Sequence, residues 1–342
     1  MGRWLFEEGR PFIAVFQEGP VLAVRAFFVA CCVVVSSQVS SVIGTTRIAT
    51  AFADPMADGP AADPSSTAVC GYGRTHPIAE VQEKMLKEAS ALVASQRRPG
   101  IYWTLNDSHN DPLLFAVDQQ GRPQGRFKVS NADNVDWEAL QLGPGRNGGA
   151  ALYVGDTGDN KGRRREMVIY RVPEPEPVGA RAGTASTAAA EAFKFVYPGH
   201  PRNTEAMLVH PKTGEILLIT KEQDGHSLVF RMPTPLDSQH TVTLEQVAVI
   251  DVSSLGADDS LVTDAAVSPD ARRVIVRTYT SALEYDVPDG ASLTSIWKQT
   301  PRRIALDDGA KGEGLTYRVD GSALVSIGES TTALLFETPR QC

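Results

Sequence analysis

With 342 residues, 42% of them hydrophobic and 22% charged, the chain has the composition of a folded protein with room for one large core or two small ones, which excludes wholesale disorder. Lys and Arg number 33 against 41 Asp and Glu, for a net charge of -8, and this acidic balance argues against nucleic acid as the main partner.

The first element in chain order is an apolar stretch from Ala26 to Ile43, preceded by Arg25 and followed by Gly44 and then Ala51-Phe52-Ala53. That is the order of a secretory signal, and small side chains at Ala51 and Ala53 suit a signal peptidase, so residues 1–53 are expected to be a signal peptide. The Pro/Ala/Asp-rich residues 54–69 then form a disordered mature start, and residues 70–342 form the folded domain. A retained membrane anchor is the alternative, because the apolar run approaches the ~20 residues of a span. Cleavage would leave no stable span and a protein secreted or held in the cell envelope. Cys31 and Cys32 leave with the signal; Cys70 and Cys342, at opposite ends of an exported chain, suggest a disulfide.

Beyond Cys70 one unit occurs five times: an acid followed by a small or apolar strand, a turn, a second strand with a polar end, and a third strand. The leading acids are Glu88, Glu138, Glu205, Asp264 and Glu313, and the second strands end at Asn106-Asp107, Asp156, Lys221-Glu222, Arg277-Thr278 and Glu329. The segments are short, β-branched and aromatic and are bounded by Gly, Pro and Asp, so they predict strands rather than a helical solenoid. Phe127-Lys128-Val129, Phe193 to Val196, Gln246 to Ile250 and Ser295-Ile296-Trp297 supply fourth strands for the first four copies. The expected fold is therefore an all-β, five-bladed β-propeller closed by an N-terminal strand near Cys70, with six blades as the alternative. A helical turn or two is expected from Ile78 to Glu88, and a mobile loop from Glu174 to Glu191.

In a propeller the first strand of each blade lines the channel, so the five leading acids are expected to converge at one rim. Asn106, Asp107, Lys221, Arg277 and Glu329 join them as candidate ligand-binding residues, with Trp137 beside the ring. So many carboxylates repel one another unless a cation or a basic side chain compensates them. Calcium fits such an oxygen-rich set, with Glu138, Asp156, Asp159, Glu205 and Glu313 as candidate ligands. The clusters 131–138 and 156–160 match no helix-loop-helix calcium loop, and turn capping explains their Asp and Asn equally well. Six scattered histidines argue against zinc, and no Gly-x-Ser-x-Gly elbow supports a serine hydrolase.

Trp103 to Ser108, Asp136-Trp137-Glu138, Tyr153 to Asn160, Ile169 to Pro173, Thr263 to Asp270, Val276 to Tyr279 and Gly312-Glu313-Gly314 resemble motifs of an exported bacterial β-propeller family of actinobacterial type. The resemblance spans roughly residue 70 to the C-terminus and implies the fold more than any chemistry. More distantly, the acidic channel with Lys221 and Arg277 is similar to that of calcium-dependent propeller phytases, although the opening motif with paired aspartates is absent.

The expected function is a monomeric binding or scaffold propeller whose channel mouth holds calcium and an anionic small molecule or glycan. The alternative is a hydrolase, phytase-like or a carboxylate glycosidase, with Glu138, Glu205, Asp264 and Glu313 as candidate catalytic residues.

Overall fold

A computed structural model describes residues 70–342 except 180–182, 257–258, 310 and 331. The expected signal peptide and mature start lie outside the described residues. The chain opens with β1 (Gly71–Tyr72) and β2 (His76–Glu80). Blade 1 follows as β3 (Ala89–Ala94), β4 (Ile101–Asn106), β5 (Leu113–Asp118) and β6 (Pro123–Ser130). Blade 2 contains β7 (Trp137–Pro144), β8 (Ala150–Asp156), β9 (Met167–Pro173) and, after an excursion through β10 (Thr184–Ala189), β11 (Glu191–Val196). Blade 3 contains β12 (Thr204–Val209), β13 (Ile216–Thr220), β14 (His226–Arg231) and, after β15 (Val242–Thr243), β16 (Glu245–Asp251). Blade 4 is β17 (Val262–Val267), β18 (Arg273–Thr278), β19 (Ser281–Asp286) and β20 (Arg302–Ala305); blade 5 holds β21 (Gly312–Tyr317), β22 (Ala323–Gly328) and β23 (Leu334–Gln341).

Each blade is an antiparallel meander whose first strand is innermost, and the first strands neighbour one another in a closed cycle, β3 to β7 to β12 to β17 to β21 and back to β3. This is the five-bladed propeller, not the six-bladed one. Blade 5 is composite: β1 and β2 pair antiparallel with β23 on its outer side, as the shortage of a fourth C-terminal strand required. Cys70 and Cys342 bond to each other at that seam, joining residues 272 apart in sequence. The innermost strands are buried almost throughout, and an apolar layer fills every seam, such as Trp103, Leu140 and Val154 between blades 1 and 2. Two facing hydrophobic sheets, removed from water, supply the main stabilisation at each seam.

Four local expectations are corrected. The segment from Ile78 is not helical, because its residues complete β2 against Leu334 to Glu337 of β23. The expected loop 174–191 contributes β10, which adds parallel to β6 as a fifth strand of blade 1; β15 does the same for β11 in blade 2. Ser295 ends a 3-10 turn (Leu293–Ser295) rather than forming an outer strand, and β20 takes that place. Trp137 is fully buried, packs on Tyr170 and donates its indole N–H to Asp133 O, so it is a core residue.

Candidate functional site at the acidic mouth

Every first strand carries a β-bulge at the same place. The pairing of first with second strand skips one residue in each blade: Ser90, Glu138, Glu205, Thr263 and Glu313. A bulge re-aims its extra side chain away from the pleat, and these five side chains form one tier about the channel. Ser90 Oγ donates to Glu138 Oε2 at 2.7 Å, which places two consecutive members in direct contact.

The tier corrects the expected ring at two positions. Glu88 precedes β3 and is exposed; the equivalent of Glu138 in blade 1 is Ser90. Asp264 stands one residue past the bulge and is fully buried. It accepts from its own neighbour Ala265 N and, at 2.7 Å, from Leu315 N, stitching blade 4 to blade 5. Burial raises its pKa well above the ordinary range. The ring thus holds three carboxylates and two hydroxyls.

A second tier begins where the second strands end: Asp107, Thr157, Lys221, Tyr279 and Glu329 each follow the residue paired with the start of the first strand. Lys221 Nζ lies 2.5 Å from Glu205 Oε2 and 5.1 Å from the Tyr279 ring centre. Burial opposes the ammonium charge, yet Glu205 and Glu313 outweigh it and raise the Lys221 pKa. Lys221 is therefore a permanent cation of the mouth.

Asp107, Asp136 and Glu138 bring carboxylate oxygens within 4.8 Å of one another. Asp136 owes its place to the loop 131–136: its N–H donates to Asp156 Oδ1 at 3.0 Å, and Asn134 Nδ2 ties the loop to Asp107 O at 2.9 Å. Gly158 clears the space, since a Cβ there would lie 2.5 Å from the Asp136 carboxyl carbon. The sequence marks Asp136 only as a member of the oxygen-rich cluster 131–138 and of the Asp136-Trp137-Glu138 motif, not as a ligand by itself; its signal is its position two residues before an acid that opens a strand.

The electrostatics follow from crowding and burial. Burial, then the charge of Asp107, pushes Asp136 up to about 7. Burial and Glu205 raise Glu313 to about 8 and lift Glu138 well above the carboxylate range. Asp107 and Glu205 are also raised, chiefly by burial, in Glu205 despite its lysine. Like charges in a desolvated site retain protons at neutral pH unless a cation enters.

The other expected site residues serve the scaffold. Asn106 accepts from Lys87 N and Glu88 N and donates to Met85 O. Asp156 is paired with Arg164 at 2.8 Å, and Asp159 accepts from Arg163 N and Arg164 N, so both hold the 156–164 loop. Arg277 is entirely buried in a fork to Asp308 at 2.9 and 3.0 Å, beyond reach of a ligand. Glu329 is the exception: it stays at the mouth, beside Lys311 at 3.4 Å, and its charge adds to that felt by Asp107 and Glu313.

Beyond the mouth, the channel is spanned halfway along the innermost strands. Gln141 of blade 2 donates from Nε2 to Ala265 O of blade 4 at 2.6 Å, across non-adjacent blades. The cavity left there measures about 30 Å³.

No family model and no curated protein matches this chain. Among solved structures, a chain of "Crystal Structure of Mitotic Checkpoint Complex" is similar over 72% of this chain at 13% identity and a TM-score of 0.35. This chain covers 63% of that one, less than two thirds of its length, and so distant a likeness carries no functional argument.

Proposed function

We propose that the chain is an exported binding propeller whose acidic mouth takes up a calcium-type divalent cation on Asp107, Asp136 and Glu138 and presents it to an anionic small molecule or glycan. The observation that carries this reading is the convergence of three carboxylates within 4.8 Å, with no ion pair to any of them among the described residues. An all-oxygen donor set of this kind suits a hard cation with flexible coordination, and it offers no nitrogen or sulfur to a softer metal. Glu205 already has Lys221, so the anion is recognised through the cation's open positions more than through a basic side chain. The disulfide between Cys70 and Cys342 supports an oxidising compartment.

The test is calorimetric titration of the purified protein with calcium, together with its melting temperature. A saturable heat with one dominant site, a raised melting temperature, and loss of both in D136N and E138Q support the proposal. Absence of any response to calcium, magnesium or manganese overturns it. Turnover of phosphate monoesters or aryl glycosides that E138Q abolishes would replace binding by hydrolysis.

A further inference from the structure

The outer strands of blades 1, 2 and 5 are covered, the first two by β10 and β15 and the last by β1 and β2. Blade 4 ends instead in β20, which has β19 on one side and, among the described residues, no strand on the other. Its open edge faces a groove of about 920 Å³ whose far wall is Gly71 to Thr75, that is, β1 and the segment leading from it to β2.

Both walls present unspent backbone. Leu306 N–H bonds Thr280 O at 2.8 Å, so the alternation of an antiparallel ladder turns the N–H and C=O of Arg303 and Ala305 away from β19 and toward the groove. On the far wall Gly73 N–H bonds Pro339 O at 2.8 Å, which by the same alternation turns the backbone of Tyr72 outward, whereas Arg74 O is met by His76 Nδ1 at 3.4 Å. The side chains alternate independently between the two faces of the sheet: Ile304 and Leu306 are buried, whereas Arg303, Ala305 and Arg74 are exposed. A Cβ on Gly71 would meet nothing within 4 Å, so the approach to this wall is open. β1 is itself firmly held, because Tyr72 OH donates to Glu284 at 2.6 Å and Arg302 reaches Cys70 O.

We propose that this groove binds an extended acidic peptide of a partner protein as an added β-strand between β20 and β1. Backbone pairing supplies the affinity and side-chain charge the selectivity, as in strand addition generally. The fold already completes two blades in this way with strands from its own connections. The acidic preference follows from Arg74 and Arg303, which line the groove together with Asp307; Arg302 lines it too but is already paired with Glu284 at 3.2 Å. The guanidinium of Arg74 makes no ion pair among the described residues, and that of Arg303 meets Asp259 at 3.9 Å and donates to Ser281 Oγ at 3.3 Å, leaving both open to a further carboxylate. This inference is independent of the cation reading, since it uses neither the channel nor its acids.

The test is selection of a displayed library of random octapeptides on the immobilised full-length protein, followed by fluorescence titration of the enriched sequence. Enrichment of Asp or Glu at alternate positions between β-branched residues is the expected result. Ala305→Pro deletes one outward N–H on an open edge where proline is tolerated, and it should abolish binding at an unchanged melting temperature. The double variant R74E/R303E should weaken the acidic peptide by about tenfold or more, with its oppositely charged counterpart now preferred. No enriched sequence, enrichment without acids, or full binding by the Ala305→Pro variant would each overturn the proposal. Binding by the 70–342 domain but not by the full chain would assign the groove to the protein's own N-terminal segment. Dimers lost on Ala305→Pro substitution would assign it to a second copy.

Discussion

Ser90 Oγ meets Glu138 Oε2 at 2.7 Å across the seam between blades 1 and 2, and among the described residues it is the one hydroxyl that donates to this buried carboxylate. The hydrogen bond favours the charged form of Glu138, against burial and against the neighbouring acids. Ser90→Ala should therefore cost about 1–2 kcal/mol in stability and lower calcium affinity at neutral pH several-fold. Denaturant unfolding and calorimetric titration measure the two effects, and unchanged affinity would remove Glu138 from the ligand set.

Lys221 works in the opposite sense. Its ammonium stabilises the buried Glu205 carboxylate while holding the potential of the mouth less negative. Lys221→Met should destabilise the cation-free protein by about 3–5 kcal/mol, the usual cost of orphaning a buried charge, and should tighten calcium binding. A weaker calcium titration would show that the lysine supports the site instead of competing with it.

The pH dependence has a defined sign. Asp136 and Glu313 move from ordinary values of 3.8 and 4.5 to about 7 and about 8 in the folded chain, so the native state binds more protons than the unfolded one between those limits. Their contribution is full below the unfolded values and is lost as pH rises through the folded ones. Cation-free protein should therefore lose stability between about pH 5 and about pH 9, and calcium should restore most of it at the alkaline end. Denaturation midpoints at both pH values, with and without chelator, check this; E313Q should flatten the slope.

Gly312 begins β21 directly against the Arg277 guanidinium, where an added Cβ would fall 1.3 Å from Nη2. The arginine is locked by Asp308, itself bound by Ser326 Oγ, and has nowhere to retreat. Gly312→Ala should cost about 3 kcal/mol or more, read as a lowered melting temperature and a poor soluble yield.

Cys70→Ser removes a bond that joins residues 272 apart. Because it closes nearly the whole ring, a loss of about 2–5 kcal/mol is expected, measured by unfolding with and without reductant. The reductant should have no further effect on the variant.

The blade count, the composite fifth blade and its disulfide were legible because period-two strands, turn residues and cysteine placement are local signals. The ring of acids was legible only in part. An acid followed by alanine occurs at Glu88-Ala89 and Asp264-Ala265 as well as at Glu138-Ala139 and Glu205-Ala206, yet the bulge falls at Ser90 and Thr263. The position of an extra residue depends on pairing with the second strand, which single-strand patterning does not record. Arg277 was misplaced for a related reason: alternation gives two faces, and nothing local says which one meets Asp308. Likewise β10 is small and polar, a composition typical of loops, and becomes a strand because the edge of β6 needs a partner.

The hybrid fifth blade has a consequence for biosynthesis. Its outer strands are the first described part of the chain to be made and its inner strands the last, so the leading segment must wait for the trailing one. Until β23 emerges, the arc of four blades has two raw flanks, and a product shortened by even one strand at its tail lacks the platform on which its head docks. Ring closure is thereby tied to the arrival of β23, and the bond between Cys70 and Cys342 fastens the two docked strands at that seam.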